Sequence, residues 1–200
     1  MKKLVLVLLI FAAVSSAQAQ KRFELDVTGK LGYYIPVNQT HFPDKYFPKN
    51  AISPAIGASL GYTFFKSTGV FVGMEYCYLS PKMIDFDDTS IDDVTWQSFN
   101  VPFNIQQGIG KNFFLTGGVT LTKQLKGVYN SGSFEPQKSP EYNWQLGAGY
   151  KIKDLRLSLQ YSRGFNEVHK YTSTGESSWQ GVAVMHQEVF VKLEYPLWKF

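Results

Sequence analysis

The sequence predicts an all-β fold: an eight-stranded antiparallel up-and-down transmembrane β-barrel with four long external loops and three short periplasmic turns. Three observations predict it. Apolar residues alternate with polar or small ones in eight separate segments, and a period of two sets the kinds on opposite faces of a strand. Most segments approach the ~9–11 residues that cross a bilayer at a tilt. The connections between them run long, short, long, short, long, short, long, so every long loop falls on one rim.

The first strand is Phe23 to Ile35. Phe23, Leu25, Val27, Gly29, Leu31, Tyr33 and Ile35 share one face, and Glu24, Asp26, Thr28, Lys30, Gly32 and Tyr34 the other. Prolines and polar groups from Pro36 to Asn50 mark a loop. The second strand, Ile52 to Phe64, opposes Ile52, Pro54, Ile56, Ala58, Leu60, Tyr62 and Phe64 to Ser53, Ala55, Gly57, Ser59, Gly61 and Thr63. Large groups outside and tiny ones inside suit a narrow barrel in lipid. After the turn Lys66-Ser67-Thr68, the third strand runs from Val70 to Tyr78, with Phe71, Gly73, Glu75 and Cys77 facing in. Ser80 to Thr95 reads as a long acidic loop with Asp85, Asp87, Asp88, Asp92 and Asp93.

The fourth strand is Trp96 to Gln106, in which Phe99, Val101, Phe103 and Ile105 alternate with Asn100, Pro102, Asn104 and Gln106. Pro102 has no amide hydrogen for the ladder, so it predicts a bulge or a missing rung. Gly108 to Asn112 is a turn. The fifth strand, Phe113 to Gln124, turns Phe114, Thr116, Gly118, Thr120 and Thr122 inward, and a polar loop follows from Lys126 to Glu141. The sixth strand, Tyr142 to Ile152, turns Asn143, Gln145, Gly147, Gly149 and Lys151 inward. Lys153-Asp154 is a hairpin turn. The seventh, Leu155 to Ser162, opposes four apolar residues to Arg156, Ser158, Gln160 and Ser162. The last long loop is Arg163 to Gly181. The eighth strand runs from Val182 to about Leu197, with His186, Glu188, Lys192 and Glu194 inward, and Pro196 is expected to end regular pairing.

Aromatic residues gather near strand ends. Phe23, Phe64, Phe113, Tyr150 and Tyr195 are expected on one rim, and Tyr33, Tyr78, Trp96, Tyr142 and Tyr161 on the other. Paired girdles match the two interfaces of a bilayer. A soluble barrel of lipocalin type would turn the apolar face inward. That set is too bulky for eight strands to enclose.

Residues 1–19 read as a secretory signal peptide: Lys2 and Lys3, an apolar run from Leu4 to Val14, then Ala17-Gln18-Ala19. Residues 20–200 form the barrel domain. Losing Lys2 and Lys3 lowers the formal charge from +4 to +2. No basic cluster remains, so nucleic acid is not an implied partner. Cys77 is alone, which excludes a disulfide framework.

The expected interior charges are Glu24, Asp26, Lys30, Glu75, Lys151, Arg156, Glu188, Lys192 and Glu194. Lys30 is expected near Glu188, Asp26 near Lys192, and Arg156 near Glu194. Buried charges must be paired, and eight strands leave an interior that side chains fill. The set therefore reads as an ion-pair plug, with a gated ion path as the alternative. The acidic loop lacks the Gly and final Glu of a calcium loop, so a solvated loop is expected there. His41, His169 and His186 are the histidines. His169 shares a loop with Ser173, Glu176 and Ser177, yet no nucleophile motif accompanies it, and a non-enzymatic protein is expected, with no cofactor or metal. The aromatic stretches Phe42–Phe47 and Tyr171–Trp179 read as sites for a partner or as groups resting on the outer leaflet.

Ser98-Phe99-Asn100-Val101-Pro102-Phe103-Asn104-Ile105 and Phe114-Leu115-Thr116-Gly117-Gly118-Val119 resemble consecutive strands of the PorT-like outer-membrane β-barrel family, common in Bacteroidota. Leu146-Gly147-Ala148-Gly149-Tyr150 and Tyr161-Ser162-Arg163-Gly164-Phe165-Asn166 resemble its later strands. The resemblance implies a small barrel of OmpA/OmpX-like architecture in the bacterial outer membrane, without one implied function. The ending with Tyr195, Trp198 and Phe200 resembles the signal read by the barrel-assembly machinery. Implied partners are outer-membrane lipid and lipopolysaccharide, that machinery, and a protein at the external loops. A porin or transporter role, a place in a secretion or gliding machinery, and lipid-modifying chemistry are the alternatives.

Overall fold

The computed structural model describes residues 23–38, 47–65, 67–84, 90–129, 132–134, 140–165 and 184–200. The signal segment Met1–Ala19, His41, Asp85, Asp87, Asp88, His169, Ser173, Glu176, Ser177 and the stretch Tyr171–Trp179 lie outside them. So does most of Phe42–Phe47.

Eight antiparallel strands close into a barrel. They are β1 (Phe23–Tyr34), β2 (Ala51–Phe65), β3 (Thr68–Leu79), β4 (Ser90–Ile109), β5 (Phe113–Tyr129), β6 (Glu141–Ile152), β7 (Leu155–Gly164) and β8 (Gln187–Lys199). Each pairs with its neighbours in sequence, and β1 pairs with β8 to complete the cylinder. Closure leaves no free first or last strand, the condition for a sheet to cross hydrocarbon.

The two faces follow the alternation. Ile52, Ile56, Met74, Leu146 and Leu159 point outward and are each 60–65% exposed. Asp26, Thr28, Ser59, Asn104, Thr116, Ser158 and Lys192 point inward and are buried. A soluble protein rarely leaves a continuous apolar band uncovered; in a bilayer the same band meets acyl chains. Inward glycines make room for large neighbours. A Cβ on Gly61 would lie 2.4 Å from the Phe71 ring, and one on Gly57 would lie 2.1 Å from the Met74 carbonyl.

Several expectations are corrected. Trp96 is buried, 4% exposed, and belongs to the interior rather than the girdle. Strand period explains it: Trp96 shares the parity of the inward Asn100 and Asn104. The acidic stretch is not all loop, because β4 begins at Ser90 and Asp92 and Asp93 pair with Met83 and Lys82. β5 likewise runs past Gln124 to Tyr129, with Leu125 as the extra residue of a bulge opposite Gln97/Ser98. Pro196 does not end pairing. It stands opposite Asp26, Leu197 is bulged, and Trp198 resumes opposite Leu25. The bulge absorbs the missing donor. The eighth strand is interrupted at His186: Val184–Met185 pairs with Val37–Asn38, within the expected first loop, and β8 begins at Gln187.

Pro102 leaves a missing rung. The β3–β4 ladder skips from Val72–Phe103 to Glu75–Asn100 with no change of register. The Lys153-Asp154 turn is a two-residue loop in which Lys153 takes a φ of 57°.

Candidate functional site

The inward face of the barrel holds the candidate site. Its charges come from β1, β3, β7 and β8, each carried inward by strand parity. Lys30 Nζ lies 2.7 Å from Glu188 Oε2, and 4.6 Å from the centre of the Phe190 ring. Lys192 Nζ lies 2.9 Å from Glu75 and 3.4 Å from Glu194. Arg156 donates to Glu24, and at 2.5 Å to Asp26. Its Nε faces Glu194 at 3.4 Å, an ionic contact rather than a hydrogen bond. The guanidinium also stacks 4.8 Å from the Phe71 ring. Gln106 donates to Glu194 at 3.0 Å and Ser59 to Asp26 at 3.2 Å.

Lys30 therefore meets Glu188, and Arg156 meets Glu194. Asp26 does not meet Lys192. The closing register sets Lys30 opposite Lys192 and Asp26 opposite Pro196, so Asp26 is several residues away along the strand, ~3.4 Å each. A long lysine still reaches Glu188 across that offset; the short aspartate side chain is met instead by Arg156. Lys151 stays out of the cluster. It is exposed at the short-turn rim, its amine 6.0 Å from the Phe114 ring.

The carboxylates Glu24, Asp26, Glu75, Glu188 and Glu194 face the cations Lys30, Arg156 and Lys192, so this network holds more acid than base. Other strands supply neutral groups. Thr120 donates to Gln145 at 3.1 Å, Gln145 donates to Asn104, and Asn100 donates to the Cys77 sulfur at 3.0 Å.

Towards the long-loop rim, aromatic rings take over. Tyr34 packs edge-on to Trp96 at 6.0 Å and lies 4.9 Å from His186. His186 Nε2 is 3.9 Å from Glu188. Trp96, Tyr34 and Phe190 complete the filling; parity alone identifies all three as inward. Mid-barrel, a cavity of about 20 Å³ remains beside Lys30, Glu75 and Lys192, on the order of one water. A cavity of about 220 Å³ opens at the short-turn rim, lined by Glu24, Phe71, Phe114, Lys151, Arg156 and Lys199. Among the described residues the cavities are separated by the ion pairs.

Residues 4–177 match the family described as outer membrane protein beta-barrel domain. The chain belongs to that family. Its barrel is similar to neisserial surface protein A at 13% identity and a TM-score of 0.56, covering 86% of this chain and 96% of that one. It is also similar to Ail, the attachment invasion locus protein of Yersinia pestis, at 13% identity and a TM-score of 0.52, covering 88% and 99%. OprG of Pseudomonas aeruginosa follows at 10% identity and a TM-score of 0.50, covering 88% and 93%. No curated protein matches the chain. The family places the barrel in the outer membrane; the likenesses at this identity speak to the fold alone.

The terminal aromatic groups of this family member line the short-turn rim. Tyr195, Trp198 and Phe200 are 50%, 68% and 57% exposed. The Phe23 and Phe200 backbones exchange hydrogen bonds at 3.0 and 2.9 Å, which ties the chain end to the start of β1.

Proposed function

We propose that this protein is a non-enzymatic outer-membrane barrel of the PorT-like kind that acts by presenting an external surface to a partner, after removal of Met1–Ala19. The observation that carries this reading is a sheet standing on the long-loop rim. β4 runs on from Thr95 to Ser90 beyond the girdle, paired on one side with Lys82–Ile84 and on the other with β5. Phe47–Pro48 and Gly132–Phe134 extend the sheet at its two edges. Six extended residues at ~3.3 Å each add ~20 Å of strand. A sheet platform on a filled barrel suits recognition. Around the band the partners are lipid and lipopolysaccharide; at Tyr195, Trp198 and Phe200 the partner is the assembly machinery.

The acidic surplus of the interior favours one second reading, a narrow cation path. Planar-bilayer recording separates the two. No stable openings are expected, and replacing residues 126–139 with a short turn is expected to abolish capture of the membrane partner while the barrel still folds. Stable cation-selective openings of nanosiemens scale would put the second reading in place of the first.

A further inference from the structure

The wall of the barrel has a seam. β2 and β3 are bonded from Phe65–Thr68 up to Ala55–Cys77, and there their ladder stops. Both strands continue, β2 to Ala51 and β3 to Leu79. Above that point Ala51–Pro54 pairs with β1, Tyr34 opposite Ala51 and Leu31 opposite Pro54. Tyr78 and Leu79 pair with β4, opposite Gln97 and Trp96. The two lips rejoin higher, where the Lys49 amide donates to the Lys82 carbonyl at 2.7 Å. Each lip carries a proline, Pro54 and Pro81, with no amide hydrogen to bridge the gap.

The seam lies at the height of the girdle tyrosines Tyr33 and Tyr78, on the long-loop side. The ladder breaks at the interfacial girdle, where amphipathic groups collect, so the seam suits an occupant that offers polar atoms as well as apolar surface. Its outer lining is apolar: Ile52 is 63% exposed and Tyr78 41%. Its inner lining, Ala51, Leu79 and Pro81, is buried. Behind the lips Tyr34 and Trp96 meet ring to ring, and the Tyr34 hydroxyl is fully buried without a hydrogen-bond partner among the described residues. Beyond Ile52 an apolar groove of about 250 Å³ continues along the outer face past Leu31, Tyr33 and Val189. At the top of the seam Lys49 and Lys82 are both exposed. Apolar lips, an orphan hydroxyl behind them and two lysines above them match one chemistry.

We propose that the seam between β2 and β3 is a lateral binding port for an anionic single-chain amphiphile of the outer leaflet. The acyl chain enters between Ile52–Pro54 and Tyr78. The head group stays at Lys49 and Lys82, and an oxygen of the amphiphile satisfies Tyr34.

Trp96 reports on the port. A chain carrying Trp144→Phe, Trp179→Phe and Trp198→Phe keeps that one indole. In vesicles, brominated stearate is expected to quench most of the Trp96 emission. Brominated phosphatidylcholine, too bulky for the seam, is expected to leave it. Continuing the register places Ser53 opposite Leu79, so Ser53→Cys with Leu79→Cys in a Cys77→Ser background staples the lips. Oxidation is expected to abolish the quenching and dithiothreitol to restore it. Lys49→Gln with Lys82→Gln is expected to weaken brominated stearate severalfold and to leave quenching by brominated stearyl alcohol, which carries no charge, unchanged. Trp96 emission indifferent to stearate, or quenching unchanged by the staple, would overturn the proposal. So would equal quenching by both brominated lipids, which marks plain contact with the bilayer. If the substituted chain does not fold, diazirine-stearate on the unaltered protein decides. Label on Ser53, Leu79 or Trp96 supports the port, and label confined to outward residues rejects it.

Discussion

The two halves of the barrel interior are filled by different chemistry. The side built from β1, β7 and β8 is held by ion pairs, with Glu75 of β3 joining them. The side built from β4, β5 and β6 is lined mainly by neutral groups, among which Asn104, Thr120, Thr122, Asn143 and Gln145 are joined by neutral hydrogen bonds, while Gln106 reaches across to Glu194 and Glu141 is the buried carboxylate of this side among the described residues. The neutral side is assembled from consecutive hairpins. The charged side contains the closure, where β1 meets β8 from the far end of the chain. Contacts between distant segments are slow and entropically costly to form. Lys30–Glu188 and Arg156–Asp26 span the strands brought together there, whereas the neutral side joins neighbours in the chain.

The contrast is broken most severely at Arg156. Arg156→Met leaves Glu24 and Asp26 without their cation and Glu194 with only the Lys192 cation among the described residues. Removing one partner of a buried ionic cluster typically costs ~3–5 kcal/mol. Urea unfolding in detergent, followed by heat-modifiable gel mobility, is expected to show that loss, and restoring it in part by Glu24→Gln with Asp26→Asn would tie it to unpaired charge. A neutral-side change sharpens the comparison. Gln145→Leu removes the bonds to Asn104 and Thr120, and is expected to cost about 1–3 kcal/mol in the same assay because two neutral groups lose a bond while no charge is left unpaired. A loss equal to that of Arg156→Met would erase the distinction between the halves.

The smallest effect is expected where an ion pair of the charged side reaches water. Lys199 donates to Asp154 in the β6–β7 turn and holds that carboxylate below its ordinary value, the hydrogen bond contributing most. A lowered folded pKa means the pair stabilises the barrel above the unfolded value of 3.8 and loses that contribution as pH falls through the folded one. Thermal midpoints measured from pH 6 down to pH 3 are expected to fall slightly less steeply for Lys199→Gln, and salt is expected to shrink the difference. A large difference at pH 6 would assign the exposed pair a weight that solvent screening does not allow.

Much of this was legible in the residues. Alternation separated Leu60 from Ser59 and Val72 from Phe71, and Pro102 announced its missing rung. The same parity makes Trp96 inward; its aromatic character near a strand end pointed instead to the girdle. The upright sheet was harder to read, because Asp92 and Asp93 look like loop and are held in β4 by pairing with Lys82–Ile84. In the site, Lys30–Glu188 and Arg156–Glu194 were readable as complementary charges on inward faces. Asp26 was not, since its partner depends on the offset between strands and on how far each side chain reaches.

The sequence by itself determined which face of each strand meets lipid, how many strands there are and, Lys151 apart, which of the named charges share the interior, because a period of two is a local property of the backbone. The tertiary structure decided the offset of β1 against β8, the bulges at Leu125 and Leu197, the three-carboxylate grip on Arg156 and the seam above Ala55. Those depend on the relative sliding of strands, and sliding is settled when buried charges, rings and prolines from remote parts of the chain compete for the same narrow space.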